Sequence, residues 1–372
     1  MKIPFVDLKS QYLSIKNEID NAISEVIENT AFIGGSHVEA FERNFENIYN
    51  VKHCISVANG TDSLYIIMKM LNIGPGDEVI TVANSWISSS ETISQTGAKP
   101  VFVDVDPVYY TIDENQIEES INKNTKAIIP VHIQGQVCHM EKIMELSKKY
   151  NIPVIEDCAQ SHFSEYNGKL AGTFGMAGSF SFYPGKNLGA YGDAGCIITN
   201  NDNFALKCRM YARHGALKKH NHIIEGINSR MDGLQAAILN VKLKHILSWT
   251  ESRIKNAQLY TNYLSDIEGI VVPKVRESSK HTFHLYVIRT NYRDELMSFL
   301  KNKGIETAIH YPVALPNMPA YKYLNYKSVN FPIASEYQGT MLSLPMFPEL
   351  NEDQIQYISS CIREFFATIV TK

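Results

Sequence analysis

Cysteine is scarce in this chain of 372 residues, and it carries no pattern. The six are Cys54, Cys138, Cys158, Cys196, Cys208 and Cys361, and no two form a C-x-x-C pair. That argues against a disulfide framework and for a reducing cytosol, where a buried free thiol acts as a small hydrophobe. Long apolar runs are missing too: none approaches the roughly 20 residues of a membrane-spanning helix. The opening MKIPFVDLKSQYLSIKNEID turns charged too early for a signal peptide. There is no block of basic residues, and the net charge is −4. The chain therefore has no electrostatic footprint for nucleic acid or an anionic membrane. No internal repeat, low-complexity segment or dinucleotide-binding glycine fingerprint is present. What remains, 44% hydrophobic and 20% charged residues, is an ordinary globular composition. The length suits two domains.

Short apolar runs alternate with helical patterns from about residue 55 to 245. CISVA precedes TDSLYIIMKMLNI, in which Leu64, Ile67, Met68 and Leu71 recur at helical spacing. VITVA, KPVFVDV, KAIIPVHI and IPVIED read as further strands, with MEKIMELSKKY a helix between the last two. GSFSFY and GCIITN are joined with no room for a crossover helix, so that pair should be antiparallel. The pattern predicts an α/β fold whose mixed, mostly parallel sheet carries helices on both faces. A long helix is expected over about Met231 to Leu264, followed by a smaller α+β unit. The expected division is a large domain over 1–245 and a small one over 246–372.

In open α/β sheets, ligands bind beyond the carboxyl ends of the strands. Four strand ends carry candidate groups. NGTDS after CISVA opens a helix, where backbone amides and hydroxyls suit a phosphate; alone, it is equally a capped turn. NSWISSS after VITVA presents Trp86, which suits ring stacking or plain interface packing. DCAQS ends IPVIE with Asp157, either a helix cap or the partner of a ring N–H⁺, and Gln160 follows three residues on. SFYPGKNLGAYGDAG sets Lys186 in a glycine-rich turn, either a solvated charge or a nucleophile made neutral by burial. Taken together, a phosphate cradle, a stacker, an acid for a pyridine nitrogen and a lysine for an aldehyde are the requirements of pyridoxal 5′-phosphate.

These segments, with GPGDEVI, GINSRMDGLQAAIL, PFVDL near the start and HYP near residue 310, resemble the DegT/DnrJ/StrS sugar-aminotransferase family over nearly the whole chain. The resemblance implies a fold-type-I transferase with a seven-stranded sheet. It also implies a homodimer with shared active sites and a cofactor alternating between pyridoxal and pyridoxamine phosphate. In this chain Lys186 would be the Schiff-base lysine and proton carrier, Asp157 the partner of the ring nitrogen, and Gln160 the ligand of the ring hydroxyl. Trp86 would stack, Gly60, Thr61 and Ser181 would hold the phosphate, and Asn228 would reach the neighbouring subunit's cofactor. The implied substrates are glutamate and a nucleotide-linked keto-sugar. SFYPGK has Tyr183 where many C-4 aminotransferases of the family have histidine, and HIQGQ departs from the commoner HLYG. With IHYP, these features point to amination at C-3 of a dTDP-linked 3-keto-6-deoxyhexose, for a surface polysaccharide or a glycosylated metabolite. UDP-linked 3-keto and 4-keto sugars are the alternatives. Tyr183, His310, Tyr311 and Arg230 are the substrate candidates; for His310 and Tyr311 domain-junction packing competes, and for Arg230 a salt bridge. No metal site is expected, because His220, His222, His281 and His284 lack a ligand pattern. A sugar dehydratase relative, a non-catalytic regulator and a nicotinamide oxidoreductase are the rival classes. Lys186, the lack of a basic face and the missing glycine fingerprint, respectively, weigh against them.

Overall fold

The computed structural model describes residues 1–370. Seven strands carry the architecture: β1 (His53–Val57), β2 (Glu78–Val82), β3 (Lys99–Val103), β4 (Thr125–Ile129), β5 (Ile155–Asp157), β6 (Ala177–Ser181) and β7 (Gly195–Thr199). Their spatial order is β3-β2-β4-β5-β6-β7-β1. Only β7 runs against its neighbours; it pairs antiparallel with both β6 and β1. The remaining pairings are parallel. The β4–β5 seam is thin: bridges Ile128↔Val154 and Val131↔Asp157 hold it, with the Asp157 N–H donating to the Pro130 carbonyl at 3.0 Å. The expected mixed seven-stranded sheet is therefore present, with GSFSFY and GCIITN as its antiparallel pair.

Alternate residues of each strand feed two different cores, as the two-residue period of a strand requires. Ile55, Val79, Ile129, Ile155 and Ile197 pack with Leu64, Ile67 and Phe204 on one face. Cys54, Ile80, Ile128, Cys196 and Ile198 pack with Phe41, Phe45, Ile143 and Leu239 on the other. Burial on both faces explains why the strands read as nearly continuous apolar runs. A third core joins Tyr260, Leu264, Leu296, Leu300, Ile355, Ile358 and Ile362 around strands β8 (Tyr286–Arg289) and β9 (Met341–Leu344). Two segments cross between these units. Ile3 belongs to the third core, whereas Ala314, Leu315, Tyr321, Phe331 and Tyr337 pack into the core of the large sheet.

The single helix expected over Met231–Leu264 is two helices, Gly233–Leu243 and Ile246–Leu264. The break follows from a tightened turn in which the Lys244 and His245 N–H groups donate three residues back, to Val241 and Lys242. His245 is then held by Glu18 at 2.9 Å and by stacking on Trp249. Apolar periodicity runs through such a turn, so the sequence pattern does not register it. Among the described residues, no helix is long and apolar enough to cross a membrane.

Candidate active site

The carboxyl ends of β1, β5 and β6 converge on one cavity of about 770 Å³. At the end of β1, the Asn59 side chain accepts from the Asp62 N–H at 2.8 Å and starts helix Gly60–Met70. Gly60 sits hard against the end of β6: a Cβ placed there would lie 2.7 Å from the Ser181 Cβ. Only glycine lets this helix N-terminus approach the strand so closely. The cavity thus meets open N–H groups, the positive end of a helix dipole and the hydroxyls of Thr61 and Ser181. Thr61 Oγ1 is fixed by Ser88 Oγ at 2.7 Å.

Asp157, 5% exposed, ends β5. Ser89 Oγ donates to its Oδ2 at 2.8 Å and the Ala159 N–H to its Oδ1 at 3.1 Å. Burial pushes its pKa up, while those two donors and the charge of Lys186 pull it down. No lysine or arginine forms an ion pair with this carboxylate among the described residues. A cationic ring N–H would therefore find a ready acceptor. Gln160 is already anchored, its Oε1 accepting from the Gln134 N–H at 2.6 Å and its Nε2 donating to the Tyr311 hydroxyl at 2.9 Å. Trp86 and Tyr311 lie together at the mouth, with ring centroids 5.8 Å apart.

Lys186 follows β6 in a turn closed by its own N–H donating to the Tyr183 carbonyl at 2.8 Å. Burial in the cavity wall lowers its pKa to about 8, against a smaller opposing pull from Asp157. Near neutral pH, then, a useful fraction of the amine is uncharged and nucleophilic. His310, stacked on Phe5 and paired through Nδ1 with Ser343 Oγ at 2.9 Å, is kept neutral by burial and by Lys186.

Of the sequence candidates, Gly60, Thr61, Trp86, Asp157, Gln160, Ser181, Tyr183, Lys186, His310 and Tyr311 line this cavity. Asn228 and Arg230 do not. Both are exposed, with Arg230 Nε donating to Asn228 Oδ1 at 3.0 Å. Arg230 lines a separate recess of about 510 Å³ with Arg213, His214, Lys218 and His220. The salt bridge considered for Arg230 does not form among the described residues. The sequence does not single out Ser89 or Asn59, and it raises His284 only as a metal ligand. The serine run in NSWISSS was the available signal for Ser89; nothing local marks His284, which arrives from a distant loop.

The four histidines considered for metal binding are not one cluster: His220 and His222 are exposed, while His281 and His284 are not. A different trio, His132, Glu156 and Cys158, has its ligand atoms within 4.8 Å of one another. Its lone pairs are already committed. The Glu156 carboxylate accepts from the N–H groups of Gly172, Phe174 and Gly175 and pairs with His132 at 3.0 Å, and His132 Nδ1 accepts from the Cys138 N–H. It reads as an internal brace for the 172–175 turn.

A mixed seven-stranded α/β sheet with a half-buried lysine, a buried acid and a glycine-opened helix N-terminus at its strand ends defines a pyridoxal 5′-phosphate transferase. The donor set fits that cofactor: the Gly60 cradle, which a Cβ would fill, could take the phosphate, Asp157 the ring nitrogen, and Lys186, whose pKa is lowered to about 8, the aldehyde. Residues 13–363 match the model of the DegT/DnrJ/EryC1/StrS aminotransferase family, and the chain belongs to it. It is a pyridoxal-phosphate-dependent aminotransferase.

The chain is 45% identical over 368 residues to a protein of Geobacillus stearothermophilus named a pleiotropic regulatory protein, covering 98% of this chain and 99% of that one. It is 40% identical to the dTDP-3-amino-3,6-dideoxy-α-D-galactopyranose transaminase of Aneurinibacillus thermoaerophilus (98% and 99% covered). It is 39% identical to the UDP-2-acetamido-2-deoxy-3-oxo-D-glucuronate aminotransferase of Pseudomonas aeruginosa (97% and 99% covered). Among solved structures it superposes with a TM-score of 0.96 on S. venezuelae DesV in complex with a ketimine intermediate, at 36% identity and 98% coverage of both chains.

Proposed function

We propose that the enzyme transfers an amino group from glutamate to C-3 of a dTDP-linked 3-keto-6-deoxyhexose, for an amino sugar of a surface polysaccharide or glycosylated metabolite. The observation carrying this reading is the cavity itself. Among the described residues, Lys186 is the only lysine or arginine that lines it, and Phe5, Val6, Leu285 and Met346 supply an apolar wall. Such a wall suits a deoxy methyl group, which gains from burial and needs no polar partner. The likeness to a dTDP-3-amino sugar transaminase supports the same choice. A UDP-linked 3-keto sugar is the second reading, favoured by the relative from Pseudomonas at nearly equal identity.

The bound cofactor supplies an aldehyde that condenses with amines and a ring that withdraws electrons. Lys186 Nζ would hold the cofactor through its aldehyde and, when free, would carry a proton between the amino-bearing carbon and the cofactor within each half-reaction. Asp157 would accept the hydrogen bond of the ring nitrogen and keep it protonated; Ser89 and the Ala159 N–H hold the carboxylate in place. Gly60, Thr61 and Ser181 would hold the phosphate, and Gln160 and Trp86 would hold the ring. Tyr183, His310 and Tyr311 meet the sugar.

The proposed unit is a homodimer with sites built from both chains, in which Asn228 reaches the partner's cofactor phosphate and Arg230 the partner-bound diphosphate. The exposure of Phe32, Ile33, Leu217, Ile223 and Ile224 beside that basic recess supports a covered surface there. The division at residue 245 belongs to the same proposal, with the cavity between the sheet and the segment carrying His284, His310 and Met346.

A panel of dTDP- and UDP-linked 3-keto and 4-keto sugars, each incubated with enzyme and glutamate, tests the reading. The dTDP-linked 3-keto-6-deoxyhexose should turn over fastest. Turnover confined to 4-keto sugars would overturn the position, and a preference for UDP-linked substrates the nucleotide. Borohydride reduction should fix the cofactor on the peptide holding Lys186. A colourless protein that cannot be loaded with cofactor would favour the regulatory role that the name of the relative from Geobacillus carries.

A further inference from the structure

His284 lines the cavity with Lys186 and comes from the loop before β8. Its tautomer is fixed by its neighbours. Asn187, the residue next to Lys186, donates through Nδ2 to the Thr282 carbonyl at 3.2 Å. The Asn187 Oδ1 therefore faces His284 Nδ1, 3.2 Å away, and only a protonated Nδ1 can donate to it. Burial, then the charges of Lys186 and Arg253, hold the imidazole neutral. Its Nε2 is consequently a bare lone pair, and no protein donor pairs with it among the described residues. The backbone is pinned as well: buried Arg253 donates through Nη1 to the carbonyls of Phe283, His284 and Met346.

We infer that His284 Nε2 is a built acceptor for a hydroxyl of the hexose, and that it positions the sugar over Lys186. This rests on the sugar-nucleotide reading above. The chemistry is selective. An acceptor without a proton takes an O–H or N–H donor and repels a carboxylate, so His284 serves the sugar and not the carboxylates of glutamate. A site built to accept a substrate hydroxyl discriminates strongly against ligands that lack it. Tethering through Asn187 links the sugar's position to that of the lysine by one residue of chain.

The test separates the sugar from the nucleotide. Binding of dTDP-glucose, which bears hydroxyls and cannot react, is measured by calorimetry on the cofactor-loaded enzyme, alongside dTDP alone. In His284→Phe, which keeps the ring volume and removes the acceptor, dTDP-glucose should bind about tenfold more weakly, the scale of one lost neutral hydrogen bond. Affinity for dTDP should move less than twofold. In stopped-flow half-reactions, kcat/KM with the keto-sugar should fall at least as far, and the glutamate half-reaction should lose far less. Equal losses for dTDP and dTDP-glucose, or equal losses in both half-reactions, would assign His284 a structural role and overturn the inference. So would unchanged dTDP-glucose binding. If the wild-type enzyme ignores every nucleotide sugar, the functional reading fails first, whatever His284 does.

Discussion

At the residue scale, the site turns on one amine that loses its proton more readily than a free lysine. The pKa of Lys186 is about 8, against 10.5 for a free lysine, because burial outweighs the attraction of Asp157. The folded group thus has the lower pKa, and between about pH 8 and 10.5 the unfolded chain binds the extra proton. Lys186 therefore costs the cofactor-free protein stability at neutral pH, a cost that fades as the pH rises through that window. Lys186→Met should raise the melting temperature of the cofactor-free protein and lower transaminase activity by about 10²–10⁴-fold, as loss of a general acid/base does. Acylation of Lys186 in the cofactor-free protein, followed by peptide mass spectrometry, should rise tenfold per pH unit and level off near pH 8. Levelling near 10.5 instead would mean that the lysine is solvated. Asp157→Asn keeps the shape but removes the charge facing the ring nitrogen. Activity should fall by about 10²–10³-fold, comparable to losing one preorganised electrostatic contact, with cofactor content measured alongside to separate binding from chemistry.

At the scale of elements, the site depends on how closely a helix start meets a strand end. Gly60→Ala would put a methyl group 2.7 Å from the Ser181 Cβ. The helix must then back away, at about 1–3 kcal/mol for overpacking. The expected result is a lower melting temperature together with easier loss of cofactor on dialysis, because the same displacement opens the phosphate cradle. A normal melt with weak cofactor retention would place the role of Gly60 in binding alone. This scale also shows why sequence patterns succeed in part. Strand ends are legible because apolar runs stop at polar groups, and so NGTDS, NSWISSS, DCAQS and SFYPGK could be read as one site. The turn at Lys244–His245 was not legible, since it keeps helical spacing of the apolar residues. His284 and Ser89 were not legible either. Their parts in the site arise from the packing of a distant loop and from a hydrogen bond spanning 68 residues.

At the scale of the whole molecule, the chain leaves its site short of cations and its cations without a site. Among the described residues, Asp62, Asp157 and Asp193 line the cavity with a single lysine, while Arg213, Lys218 and Arg230 line a recess elsewhere. A diphosphate and a dicarboxylic donor require positive charge, which a second copy can bring if its basic recess closes over the cavity. A two-fold dimer would do this at both sites at once. Mixed dimers test it without a structure. Lys186→Ala disables its own chain's site, and Asn228→Ala combined with Arg230→Ala should disable the partner's. Co-expressed in equal amounts and purified without selection for pairing, a Lys186→Ala chain and an Asn228→Ala/Arg230→Ala chain leave one intact site per mixed dimer if the residues act across the interface. Random pairing then restores about a quarter of wild-type activity, since half the dimers are mixed and each has one working site. If Asn228 and Arg230 serve their own chain, every site in the mixture lacks something and activity stays at the level of the separate variants. The comparison holds even if each variant alone is slightly destabilised, because the mixture contains the same chains in both cases.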